Sequence, residues 1–220
     1  MSDRLDMTVM YATHNKLRRE LTHITRATAR FDSDPRYVLR VGADWEVFRR
    51  ALSAHQSAED DALWPPLRRA LAGNPFDLAR LEAMEAEHAA IASLVGAVNG
   101  ALTAPGIELD LFGELTESLL SGLVGHLDHE ENSVFPLVQS ALDADLWEHF
   151  RQVHAVRVGP YAPQLLPWLL DGADERTVSF VLASFPAPAR QAYEHRWRPS
   201  CTALDGPHAP SAVPARPEPS

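Results

Sequence analysis

Six side chains in this 220-residue chain stand out by type and spacing: His14, His55, Glu59, His88, His126 and Glu130. Four of them form two copies of one pattern, His55-x-x-x-Glu59 and His126-x-x-x-Glu130. On a helix, positions four apart share a face with Cβ atoms about 6 Å apart, so one cation fits between such a pair. A carboxylate in that place can also reach a second cation. Each of the four histidines continues the apolar stripe of its own segment, and a buried imidazole needs a partner. Two buried glutamates are costly unless they are paired or metal-bound. Together the six read as a ligand set for two divalent ions. Four positive charges set against two glutamates and a hydroxide come close to neutrality. Mixed nitrogen and oxygen ligands with open positions suit iron, with zinc and manganese as alternatives. One histidine on an apolar face is usually a satisfied core residue. One His-x-x-x-Glu pair is common on charged helices. The weight of the reading lies in four segments donating to one layer.

An internal repeat ties the six together. His55-x-x-x-Glu59-Asp60 is followed by Leu63-Trp64-Pro65, and His126-x-x-x-Glu130-Glu131 by Val134-Phe135-Pro136. Ala12-x-His14-x-x-Leu17 likewise matches Ala86-x-His88-x-x-Ile91. Two helix pairs related by a pseudo-two-fold axis would bring all six side chains to the middle of a bundle.

The segments that must position them read as helices. Met10, His14, Leu17, Leu21, Ile24 and Thr28 recur at three- and four-residue steps, predicting a helix from about 7 to 30. Ser33 or Asp34 can cap the next helix, with Pro35 at its first position. That helix carries Val41, Trp45, Phe48, Leu52, His55 and Glu59 inward, and the sequence Trp64-Pro65-Pro66 predicts its end or a kink. Gly73-Asn74-Pro75 reads as a turn. A third helix over about 77–102 presents Leu81, Met84, His88, Ile91, Val95 and Val98, and Pro105-Gly106 closes it. A fourth over about 110–133 presents Leu115, Leu119, Leu123, His126 and Glu130, with Pro136 at its end or at a kink. Short connections favour antiparallel neighbours, so the fold class is all-α: an up-down-up-down four-helix bundle with additional C-terminal helices. The domain reading is a bundle over 1–142, a helical extension over 143–204 packed on it, and a Pro/Ala-rich disordered tail over 205–220.

Composition excludes several classes. The formal net charge of −10, from 30 acidic and 20 basic residues, opposes binding to phosphate backbones, so no nucleic-acid partner is expected. The single cysteine, Cys201, rules out an intrachain disulfide or a thiolate cluster. No apolar run reaches the ~18 residues of a membrane span, and the charged first 25 residues do not read as a signal peptide. The expectation is a cytoplasmic protein with no membrane partner.

The order His14, His55-Gln56-Ser57-Ala58-Glu59, His88, His126-Leu127-Asp128-His129-Glu130 resembles the hemerythrin-like, or HHE cation-binding, family over about 7–140. The resemblance implies a non-haem di-iron site. Glu59 and Glu130 would bridge two iron ions, together with an oxo or hydroxo group. His14 and His55 would cap one ion, and His88 and His126 the other. Two departures from the oxygen-carrying members stand out. Ala92 occupies the position of a second third-helix histidine, and Glu130 lies four rather than five residues after its histidine. The resemblance then implies a site with an extra open position, suited to oxidation rather than clean reversible oxygen binding.

Three functions compete on this reading. The first is a di-iron module that binds or reacts with dioxygen, peroxide or nitric oxide. The second is an oxidoreductase with peroxidase- or catalase-like activity. The third is a metal-dependent regulatory module using 143–200. Ferritin-like oxidases rank low, because they carry Glu-x-x-His motifs with carboxylates in excess. His129 could swing toward the ions but reads better as a surface residue or one bonded to a ligand candidate, and Tyr11 could line the pocket but reads better as an ordinary packed tyrosine. Asp60 and Glu131 are expected to face solvent or a neighbouring helix, with a hydrogen bond to a ligating imidazole as an alternative. Glu85 and Glu87 read as surface charges and His23 as a surface residue. His149, His154, His195 and His208 receive no role.

Overall fold

A computed structural model describes residues 4–29, 43–103 and 109–198. Helix α1 spans Thr8–Ala29, its first backbone N–H accepted by the Asp6 carboxylate at 2.9 Å. Helix α2 begins at Ala43–Ala58, passes through a π-helical turn at Glu59–Leu63, and continues as Trp64–Ala70. Asn74 then caps α3, Pro75–Thr103, its Oδ1 accepting from the Phe76 N–H at 3.1 Å. Helix α4 repeats the form of α2: Leu109–His129, a π-helical turn at Glu130–Val134, then Phe135–Ala141. The helices expected from the sequence are present, and no strand occurs among the described residues. The expected cap at Ser33 or Asp34, the Pro105-Gly106 break and the tail lie outside the described residues.

The prolines do not end α2 and α4, as one branch of the sequence reading had it. Pro65 and Pro136 each sit in the first turn of the continuing α-segment. In a helix that runs on, each proline leaves one upstream carbonyl without its N–H donor, and its ring crowds the preceding turn. The turn before each proline widens instead. The Trp64 N–H bonds to the Glu59 carbonyl, and the Phe135 N–H bonds to the Glu130 carbonyl. Wider turns of this kind occur mostly as single insertions, often at functional sites. Both begin on the glutamate of a His-x-x-x-Glu pair.

Two apolar clusters fix the direction of each helix. One holds Leu17, Leu52, Ile91 and Leu123. The other holds Met10, Ala58, Met84 and Val134. Along α1 and α3 the chain passes from the second cluster to the first; along α2 and α4 it runs the other way. Neighbours are therefore antiparallel, giving the up-down-up-down bundle. His14, His55, His88 and His126 fall between the two clusters on their helices. Burying one leucine of such a cluster stabilises by about 1.5–3 kcal/mol, so apolar packing above and below holds the polar layer level.

Beyond the bundle, α5 (Ala144–Val158) is capped by Asp143, which accepts from the Leu146 N–H at 2.9 Å. A 3-10 turn, Gly159–Tyr161, leads into α6, Ala162–Leu170. Asp174 caps α7, Glu175–Ala183, and α8 follows as Ala187–Ala192 with a π-helical turn at Tyr193–Trp197. Helix α5 lies along α2 and its π turn, while α6 and α7 lie against α1. Leu165, Leu166, Val181, Leu182 and Tyr193 join the cluster that contains Leu17. No helix of the described residues is long and apolar enough to cross a membrane.

Candidate metal centre

Each of the six side chains is supplied by the inner face of a long helix, and all six are buried. His14, Glu59 and Glu130 are fully shielded, and His88, the least covered, is 6% exposed. Helical spacing brings His55 Nε2 to 3.1 Å from Glu59 Oε1. The other oxygen of Glu59 lies 3.4 Å from His88 Nε2 on α3. Glu59 thus stands between two histidines of different helices. Glu130 Oε2 lies 3.3 Å from His14 Nε2 on α1.

The imidazoles meet in two pairs. His14 and His55 have ring centroids 4.9 Å apart at 79°, and their Nε2 atoms approach to 2.9 Å. His88 and His126 have centroids 4.8 Å apart at 71°. One ligand atom from each of His14, His55, Glu59 and Glu130 falls within 4.8 Å of the others, a spacing that could hold a cation. His88 and His126 form the matching pair on the other side of Glu59.

Acids outside the layer orient three of the rings. His14 Nδ1 faces Glu131 Oε1 at 2.8 Å, His88 Nδ1 faces Asp60 Oδ1 at 2.8 Å, and His126 Nδ1 faces Glu87 Oε2 at 2.9 Å. A proton held on Nδ1 in this way leaves the Nε2 lone pair for an ion. Arg18 donates to Glu131 and to Asp128, at 2.7 Å each. Glu87 also binds His129 Nδ1 at 2.8 Å. Aromatic rings close the layer: Phe135 stacks on His14 at 5.5 Å, and Trp64 lies 6.2 Å from His88.

The electrostatics are those of a site built around positive charge. Both oxygens of Glu59 and of Glu130, and Nε2 of His88 and His126, are buried without a hydrogen-bond partner. Orphaned buried polar atoms of this number are rare and expensive. Burial, with Glu130 and Asp60 nearby, pushes the Glu59 carboxyl well above its usual range. Burial and then the His14 imidazole push His55 well below the usual histidine value. Burial alone would push His14 down too, but the Glu130 and Glu131 carboxylates outweigh it and raise it. Glu131 moves the other way: burial would raise it, and His14 and Arg18 hold it low. A cation among His14, His55, Glu59 and Glu130 would give the orphaned carboxylate oxygens a partner, so the donor set fits a metal.

Residues 6–138 match the family model described as the hemerythrin HHE cation-binding domain. The chain belongs to the hemerythrin HHE cation-binding family. That stretch ends before α5, so the later helices lie outside the hemerythrin match. Comparison with curated proteins and with solved structures gave no significant match.

The hemerythrin layer has more parts than the sequence suggested. Glu87, read as a surface charge, joins His126 to His129. It directly precedes the ligand candidate His88, and only the fold shows that this step round α3 faces α4. Asp60 and Glu131 hold the imidazoles of His88 and His14. Their shared place in the repeat, five residues after a histidine, was the signal. His129 turns to Glu87 rather than into the layer. Tyr11 is 42% exposed and packs edge-on against Phe135. His23 is exposed. His154 is buried beside His55, with ring centroids 5.8 Å apart, and burial pushes its imidazole down to about 4. No spacing in the sequence pointed to it.

Proposed function

We propose that this hemerythrin-like protein holds two non-haem iron ions and uses them to bind or react with a small oxidant: dioxygen, peroxide or nitric oxide. The observation that carries this reading is Glu59, whose unpartnered carboxylate lies between His55 and His88. His14, His55, His88, His126, Glu59 and Glu130 would hold the ions, with both glutamates spanning them. Mixed nitrogen and oxygen donors with open positions suit iron, with zinc and manganese as alternatives. Bound iron would exchange electrons with such an oxidant.

The chain's own residues supply the rest. Asp60, Glu87 and Glu131 keep the Nδ1 protons of His88, His126 and His14 in place. Met10, Leu63, Met84 and Val134 exclude water from one side of the layer, and Leu17, Ile91 and Leu123 from the other. A buried layer of this kind suits a small ligand rather than a nucleic acid, which the acidic chain also repels. A reducing, cytoplasmic compartment suits a chain with a single cysteine.

Peroxidase- or catalase-like turnover is the second reading. It is favoured by the chain from His126 through Glu87 to His129, which links a ligand candidate to a side chain one-third exposed. Turnover needs protons from water, and Glu87 with His129 brings proton-carrying side chains to the edge of the layer.

The test is to add dioxygen, hydrogen peroxide or nitric oxide to the anaerobic ferrous protein and record its absorption. A new charge-transfer band supports the di-iron reading. Reversal on removing the gas marks binding; lasting oxidation with steady peroxide consumption marks the enzyme. No band with any of the three overturns the proposal.

A further inference from the structure

Three of the ligand imidazoles give Nδ1 to a carboxylate at 2.8–2.9 Å, as above. His55 does not. Its Nε2 is turned to His14 and Glu59, and its Nδ1 is buried with no hydrogen-bond partner. The repeat explains the gap. Glu87, one residue before His88, serves His126. The corresponding residue before His14 is Thr13, whose hydroxyl donates to the Val9 carbonyl at 2.9 Å. That side chain is short, neutral and already engaged.

The C-terminal helices bring another imidazole beside the His55 ring. Helix α5 lies along α2, and the His154 ring stands edge-on to His55 at 5.8 Å and 87°. His154 is 5% exposed, and Phe150, one turn earlier on α5, backs it at 6.3 Å. A neutral imidazole offers one acceptor nitrogen, which is what an Nδ1–H requires. We propose that His154 is a positioning residue of the metal centre: in the loaded protein it accepts the Nδ1–H of His55, in the role that carboxylates fill for the other three histidines. The proposal rests on the two-metal reading.

A consequence follows for the two ions. His88 and His126 are each backed by an anion, Glu87 being shared only with the His129 imidazole, and an anion there raises imidazole basicity. His55 is backed by a neutral ring, and the carboxylate behind His14 is shared with Arg18. The His14/His55 position therefore binds its ion more weakly and fills second. The helices beyond the family domain thereby gain a role in the centre: they tune one of its two positions.

The test is anaerobic titration with cobalt(II), read by calorimetry and by the visible absorption of the bound ion. Wild type is expected to fill in two steps. H154L should weaken the second step about ten- to a hundred-fold and leave the first unchanged. H154Q, whose amide oxygen accepts the same proton, should recover most of the loss. E87Q should weaken the first step instead. F150L, which alters packing behind His154, should leave both steps as they are. If H154L is too unstable to titrate, H154F carries the same expectation. The role of His154 is overturned if H154L or H154F titrates like wild type, if H154Q is as weak as H154L, or if F150L does equal damage. A wild-type protein that takes up fewer than two cobalt ions overturns the two-metal reading itself, and this proposal with it.

Discussion

Asp60, at the π-helical turn of α2, reaches across to α3 and holds the His88 ring, with Oδ1 2.8 Å from Nδ1. The same relationship recurs from α4 to α1, where Glu131 holds His14 at 2.8 Å. The aromatic that follows each acid packs on the same histidine, Trp64 on His88 and Phe135 on His14. Each helix pair thus orients the lone histidine of the other pair. The repeated segment His-x-x-x-Glu-acid is a unit of exchange between halves of the bundle.

Glu59→Ala and Glu130→Ala should each lower bound iron from two ions per chain toward one or none, because on the proposed reading each carboxylate spans the two ions. His23→Ala, on the exposed face of α1, should leave the count unchanged. Elemental analysis after anaerobic loading and desalting reads the result. Two ions retained in both glutamate variants would contradict the spanning role.

Asp60→Asn should lower metal affinity about ten-fold, within the range seen when a carboxylate behind a ligating histidine is removed. Glu85→Gln, which disturbs only the surface pair with Arg68, should have no such effect. Competition against a chelator of known affinity measures both. Equal affinities would mean that Asp60 does not orient His88.

Metal binding should be coupled to proton release. The Glu59 carboxyl and the His14 imidazole are both held above their usual values without metal, and both must give up a proton to ligate. Affinity should therefore fall as pH falls. A pH indicator in weak buffer, with metal added anaerobically, counts the release. No release at any pH at which the protein stays folded would argue against ligation by these two groups.

The buried neutral ring of His154 should make the metal-free protein sensitive to acid. A folded value of about 4 lies below the ordinary histidine value, so this group's contribution is complete above about pH 6.5 and is lost as pH falls toward 4. The full loss is about 3 kcal/mol. Glu59, shifted upward, acts in the opposite sense: its contribution is present below the usual carboxylate value and is lost as pH rises through its folded value. Comparing wild type with H154Q isolates the histidine. Between pH 7 and pH 4, denaturant unfolding should show wild type losing about 3 kcal/mol more than H154Q. Parallel losses would contradict a buried neutral imidazole.

Most of the layer was legible in the chain because its ligand candidates lie on apolar stripes with a fixed step. His14 continues Met10 and Leu17, and Glu59 follows His55 by one turn. What lies between helices was not legible. Glu87 sits one residue from His88, where spacing along α3 marks it as pointing away; its contact with His126 exists only because α4 packs there. His154 belongs to no repeat, and its place beside His55 comes from the docking of α5 on α2. The prolines allowed two readings, an end or a kink. The structure took a third course, widening the helix at Glu59 and Glu130 and carrying it on.

The centre stands or falls with its metal content. The direct measurement is the iron-to-chain ratio of the wild-type protein, loaded anaerobically with ferrous iron and desalted, taken with its absorption spectrum after exposure to air. Two iron ions per chain and a new charge-transfer band are expected. A ratio of one or less, or two ions retained when Glu59 and Glu130 are both replaced by alanine, would contradict a pair of ions held between the two halves of the bundle.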